Sequence, residues 1–176
     1  MSGMIREDLI ERLKRLDEEA SLRFDDNRRF HVVIVGGSAL ILLEAISRAT
    51  MDIDVLNASA ELVALMEKYD INCQVQTFIN HFPYNYEDRL QRLPIDGAKI
   101  DFYVASLENI VVAKLYSNRD TDRQDIIRPE VLDKIDWTIL EMLATAEDEA
   151  RSSALNERSY QNFLANYEEY VGRYRP

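Results

Sequence analysis

The sequence predicts a mixed α+β fold: a small mixed β-sheet with flanking helices, followed by a helical C-terminal region. Three observations carry that prediction. The run "VVIV" at residues 32–35 is β-branched and uninterrupted, as in a strand buried on both faces. The stretch "LQRLPIDGAKIDFYVA", residues 90–105, sets two extended runs around an Asp96-Gly97 turn, a hairpin signal. Beyond Ser106 strand patterning stops and helical spacing takes over.

Taken in order, Ile5, Leu9, Leu13 and Leu16 recur at spacings of three and four, which predicts an amphipathic helix over residues 5–20. "RFHVVIVGG" is the first strand, ended by Gly36 and Gly37. Ser38 is placed to cap a helix through "ALILLEAISR", and residues 51–57 return as a second strand. Ser59 caps a third helix, "AELVALMEKYD". "INCQVQTF" alternates like a strand, and "HFPYNYED" reads as loop. In the hairpin, Pro94 weakens the first arm because it has no N–H to donate. "SLENIVVAKLYSNR", the stretch around Asp125 and everything from Pro129 onward are expected helices. In the last of these, Tyr160, Phe163, Leu164, Tyr167, Val171 and Tyr174 form one face, read as core or subunit interface. The expected organisation is a core of residues 1–128, including the first helix, with a helical extension of residues 129–176 packed on it.

The 176 residues are 47% hydrophobic and 30% charged, with five glycines and four prolines, a composition that predicts a folded globular chain. The net charge of -11 argues against broad, charge-driven nucleic-acid binding. No apolar run reaches the roughly 20 residues of a membrane span, and "MSGMIREDLIERLKRLDEEA" is too charged for a signal peptide, so the expected location is cytoplasmic. Cys73, the only cysteine, is expected to be a packed small hydrophobe, and His31 and His81 are given no role.

On a strand, residues two apart share a face, so Asp52 and Asp54 project together. Neighbouring carboxylates repel unless a cation lies between them. "KIDFYV" repeats the pattern with Asp101; if its strand lies beside residues 51–57, a third carboxylate joins the pair. Such oxygen donors suit Mg2+ or Mn2+, which leave positions for water and phosphate oxygens. Gly36 and Gly37 let backbone amides approach an anion closely, and Ser38 offers a hydroxyl.

Together "GGSAL", "RATMDIDVL", "KIDFYVA" and "AKLYSNRDTDRQDI" resemble nucleotidyltransferases of the polymerase-beta superfamily, most closely the AbiEii-like group associated with toxin-antitoxin systems. The matching blocks run from Val32 to Ile126. The resemblance implies a nucleotidyltransferase core in which Gly36, Gly37 and Ser38 hold phosphates of a nucleoside triphosphate. It also implies that Asp52, Asp54 and Asp101 bind Mg2+ (or Mn2+), with Asp101 as base, and that Lys114 is catalytic. Arg48, Thr50, Arg119, Asp122 and Asp125 match further substrate-binding positions.

The expected reaction moves an NMP group from an NTP to an RNA end, a protein hydroxyl or a small molecule. A cognate antitoxin is an expected partner, as is a second copy through the C-terminal helix; a membrane is not. For Arg119, Asp122, Arg123 and Asp125 a salt-bridged helix start remains the other reading. The alternative for the whole chain is a non-catalytic nucleotidyltransferase-fold module acting through protein contacts.

Overall fold

Five strands pair in the order β3-β2-β1-β5-β4. They are β1 (Phe30–Val35), β2 (Ile53–Leu56), β3 (Ile71–Asn72), β4 (Gln91–Arg92) and β5 (Ile100–Val104). The computed structural model describes residues 3–176, with the side chains of all of these except residues 75–78. Strand β1 is antiparallel to β2 and parallel to β5, so the sheet is mixed. The expected α+β class is therefore observed.

The chain divides into two compact units, Met1–Gln76 with Leu90–Ala105, and Thr77–Arg89 with Ser106–Pro176. The helices after Ala105 fall in the unit that holds the C-terminal ones. The first unit holds the whole sheet with helices α1 (Arg6–Arg23), α2 (Gly36–Leu42) and α3 (Ala60–Lys68). Leu9, Leu13 and Leu16 of α1 are fully buried, as their spacing predicts, and α1 packs against α2 and α3. At about 2 kcal/mol for each buried leucine, that stripe is what fastens α1 to the unit.

Helix α2 departs from expectation at both ends. It starts at Gly36, so Ser38 lies inside the first turn and does not cap it. It ends at Leu42, because Glu44 adopts φ 57° and the chain folds back through Ala45 N–H to Leu40 C=O, 2.8 Å. Strand β3 is also shorter than "INCQVQTF" suggests. After Asn72 the backbone winds into 3-10 turns over Gln74–His81. The hairpin forms as expected, with β4 and β5 antiparallel. Its connection is long, because after Leu93 N–H reaches Phe102 C=O at 2.8 Å the ladder meets Pro94.

That connection is tied to α1 by Asp17, whose place in the sequence carries no signal of this role. Asp17 is buried and accepts backbone N–H groups from Ala98, Lys99 and Ile100 at 2.7–2.8 Å. Gly97 permits the close approach, since a Cβ there would sit 2.3 Å from the Ile100 carbonyl oxygen.

The second unit is helical: α4 (Leu107–Tyr116), α5 (Asp120–Ile126), α6 (Pro129–Leu132), α7 (Trp137–Thr145), α8 (Ala150–Ser153) and α9 (Glu157–Tyr174). Ser106 caps α4 by accepting from Asn109 N–H. α4 is buried nearly all round and packs against α5, α7 and α9. Tyr160, Phe163 and Tyr167 of the expected α9 stripe are buried, joined by Tyr170, while Leu164, Val171 and Tyr174 are half-buried. The inward phenols find partners: Tyr170 donates to Ile126 C=O at 2.6 Å and Tyr160 to Ala144 C=O at 3.0 Å.

Candidate functional site

The C-terminal end of β1 collects most of the residues singled out from the sequence. Gly36 follows Val35 directly and has φ 67°, a left-handed conformation that favours glycine. Register pairs Val35 with Asp54 across the antiparallel ladder, bringing the second aspartate over the turn. A Cβ on Gly36 would lie 2.7 Å from Asp54 Oδ2, and one on Gly37 would lie 2.7 Å from an Arg48 guanidinium nitrogen. The two glycines thus leave room for a carboxylate and a guanidinium, one above each backbone position.

Ser38 holds this arrangement together. Its buried hydroxyl donates to Val35 C=O at 3.0 Å and accepts from Asp54 N–H at 3.3 Å, so it ties the turn to β2. Asn72 of β3, in register with Asp54, donates its side-chain amide to Asp54 Oδ1 at 3.0 Å. Asn72 was not among the expected site residues, because nothing in its sequence spacing announces that a two-residue strand pairs there. Asp52, just before β2, is exposed, and its carboxylate makes no hydrogen bond or ion pair among the described residues. Thr50 is buried, donates its hydroxyl to Asp52 C=O at 3.3 Å and bridges to Met4, while Arg48 donates to Ala49 C=O. Gly36, Gly37, Ser38, Arg48, Thr50, Asp52 and Asp54 therefore share one neighbourhood.

Asp101 does not join them, which corrects the expected three-carboxylate cluster. β5 lies beside β1 and not beside β2, and Asp101 is in register with His31. His31 and Val35 point to the same face, but they are four residues apart. At about 3.3 Å per residue and about 4.8 Å per strand, Asp101 and Asp54 are on the order of 16 Å apart. No single cation spans that gap. Asp101 instead faces two arginines: Arg29 donates through Nε (3.1 Å) and a terminal nitrogen (2.7 Å), and Arg92 through a terminal nitrogen (2.7 Å). The Arg29 hydrogen bonds hold its carboxyl below the usual aspartate range against the opposing effect of burial.

In the second unit, Lys114 is buried with its ammonium between Asp122 Oδ1 (2.6 Å) and Asp125 Oδ2 (3.1 Å). Ser117 and Arg119 also donate to Asp122, at 2.6 and 2.8 Å, and Arg128 lies 3.8 Å from Asp125. Burial pushes the Asp122 carboxyl up, but the Arg119 hydrogen bond and the Lys114 charge outweigh it and bring it down to about 2. Lys114, Arg119, Asp122 and Asp125 thus form a charge-balanced internal network, the salt-bridged helix start that the sequence also allowed.

Among the described residues, no three His, Cys, Asp or Glu side chains are grouped to hold a metal ion. Magnesium does not need three: it is commonly held by one or two carboxylates together with water and substrate phosphates. Asp52 and Asp54, two hard oxygen donors beside a glycine turn, fit that mode, whereas an all-protein cage or a pair of ions shared with Asp101 does not fit.

Among the described residues, no helix is long and apolar enough to cross a membrane. No curated protein and no solved structure matches the chain. A family model does match, over residues 11–175, and that span takes in the sheet, the glycine turn, both ends of the aspartate pattern and every helix from α2 to α9. The chain therefore belongs to the family described as nucleotidyltransferase of unknown function (DUF6036).

Proposed function

We propose that the chain transfers a nucleoside monophosphate from a nucleoside triphosphate to an acceptor hydroxyl, in a reaction that depends on Mg2+ (or Mn2+). The observation that carries this reading is the approach of Asp54 to Gly36 at the end of β1, with Asp52 two residues before it. Asp52 and Asp54 would hold the ion together with phosphate oxygens. Bound there, the ion supplies charge neutralisation on the triphosphate and its pyrophosphate leaving group.

The chain's own part is positioning. Gly36 and Gly37 keep side-chain bulk away from the phosphates, and the Arg48 guanidinium above Gly37 offers a positive charge to them. Ser38 and Asn72 hold Asp54 in place. The acceptor oxygen forms a bond to the α-phosphorus as the bond to pyrophosphate breaks, and the hydroxyl proton passes to solvent. Neither Asp101 nor Lys114 is given a step, since each is already engaged by charged partners. The resemblance to the AbiEii-like group favours an RNA end or a protein hydroxyl as acceptor and a toxin-antitoxin setting with a cognate antitoxin.

Incubation with labelled triphosphates, magnesium and total cellular RNA or protein tests the proposal. Label transfer is expected for the native chain, loss of at least about 100-fold for Asp52→Asn and Asp54→Asn, and near-native transfer for Asp101→Asn. Full activity in both Asp52→Asn and Asp54→Asn would remove the metal site. The non-catalytic reading gains nothing from the tyrosine-rich α9, because Tyr160, Tyr167 and Tyr170 are buried.

A further inference from the structure

The second unit contains a cavity of about 470 Å³ that none of the residues assigned to transfer lines. We propose that it binds an uncharged nucleoside, taken by its base. Its size falls within the about 300–1,000 Å³ typical of small-molecule sites.

One wall is a column of flat rings. His81 stacks on Tyr116 with centroids 5.3 Å apart and planes 7° apart, and Tyr116 stacks on Phe163 at 4.3 Å and 12°. All three rings line the cavity. A purine or pyrimidine is one more plane of the same kind, and base-aromatic stacking of this sort is the usual way proteins take hold of an unpaired base. A free sugar has no conjugated plane with which to continue the column.

The remaining polar lining matches the edge of a base. Asn80, Asn118 and Asn162 face the cavity with Ser159, and none of these four side chains hydrogen-bonds within the protein among the described residues, whereas Asn166, also in the lining, donates to Leu115 C=O at 2.9 Å. Each amide presents donor and acceptor in one plane, the combination that pairs with the mixed donor-acceptor edge of a nucleobase. Among the described residues no Lys, Arg, Asp or Glu lines the cavity, although 30% of the chain is charged. Burial keeps the His81 imidazole below its ordinary value against the pull of Asp122, so the ring wall is neutral at pH 7 as well. Phosphates find no counter-charge here, and the cavity therefore selects the nucleoside part of a ligand whose phosphates, if any, stay outside it.

Binding of the nucleoside stands by itself; its assignment to the triphosphate or to the acceptor rests on the transfer reading. The test titrates the full chain, without magnesium, with adenosine, guanosine, cytidine and uridine, and separately with ribose and glucose. Saturation-transfer NMR detects binding. At least one nucleoside is expected to bind at millimolar concentration or below while the sugars do not. The Asn118→Ala/Asn162→Ala double variant is expected to weaken it by about tenfold with an unchanged Tm, since both side chains are exposed and support nothing in the fold. Asp54→Asn, which disables transfer, is expected to bind the nucleoside normally, so failure of one reading is distinguishable from failure of the other. With triphosphate and magnesium added, competition identifies the donor's base and additive binding identifies the acceptor. Absence of nucleoside binding, binding of the sugars alone, or full binding by the double variant overturns the proposal.

Discussion

The two ends of the sheet carry the same residue type on the same face and treat it in opposite ways. At the Asp101 end, charged side chains and backbone N–H groups are paired with one another. Asp101 takes two arginines, Lys99 reaches the Asp26 carboxylate, and Asp17 accepts three backbone N–H groups from the chain as it enters β5. At the Asp54 end, the carboxylate accepts the Asn72 amide among its contacts and sits over a glycine with φ 67°, and an exposed Asp52 lies two residues before it. One end is built for holding the strand connection; the other sets an exposed Asp52 close in the chain to a glycine turn. An aspartate on a short strand is therefore not by itself a sign of chemistry, and the partners it is given decide which it is.

The closed end is broken most severely through Asp17. Asp17→Ala strips the acceptor from three N–H groups, of which those of Lys99 and Ile100 are buried, and each buried one costs on the order of 1–3 kcal/mol when left unsatisfied. A loss of at least about 2 kcal/mol is expected in urea unfolding. A loss below 1 kcal/mol would show that water replaces the carboxylate and that this end is not closed.

The open end is sharpened through Gly36→Ala, with a smaller effect on folding. The left-handed conformation costs an alanine about 1–2 kcal/mol. The added Cβ would meet Asp54 Oδ2, the movable tip of a side chain, so the steric part is relieved by moving the carboxylate. Stability should drop by that strain alone, while the displaced Asp54 should cost far more in label transfer than in folding. Equal loss of both, tracked by Tm and by transfer on the same samples, would mean that Asp54 is structural like Asp101.

Much of this contrast was out of reach of the sequence for identifiable reasons. "VVIV" and the leucine spacing of α1 reveal their elements because burial writes a periodicity into a single segment. Face parity for Asp101 was readable too, but its end of the sheet was not. That depends on β5 entering parallel beside β1, a long-range pairing on which local spacing has no bearing. The pairs Asp54-Asn72 and Asp17 with the Ala98–Ile100 amides fail to show for the same reason, being 18 and more than 80 residues apart in the chain. The helix after Ser38 was read too long because its apolar run continues to Ile46, while the left-handed Glu44 that stops it has no glycine to mark it.

The smallest expected effect separates the two ends by pH. Asp101→Asn removes one carboxylate from arginines that are themselves well exposed, 42% for Arg29 and 57% for Arg92, so at pH 7 the cost should be about 1 kcal/mol or less. The Arg29 hydrogen bonds hold the folded Asp101 carboxyl below its ordinary value. A carboxylate lowered in this way stabilises the folded chain fully above its unfolded pKa, near 3.9, and loses that contribution as pH falls toward and through the folded value. The native chain and Asp101→Asn should therefore differ most at neutral pH and converge below about pH 4. Thermal unfolding of both from pH 7 to pH 2.5 measures the gap. If the gap instead held constant down to pH 2.5, the ion pairs drawn at Asp101 would contribute nothing in solution, and the closed end would owe its order to Asp17 alone.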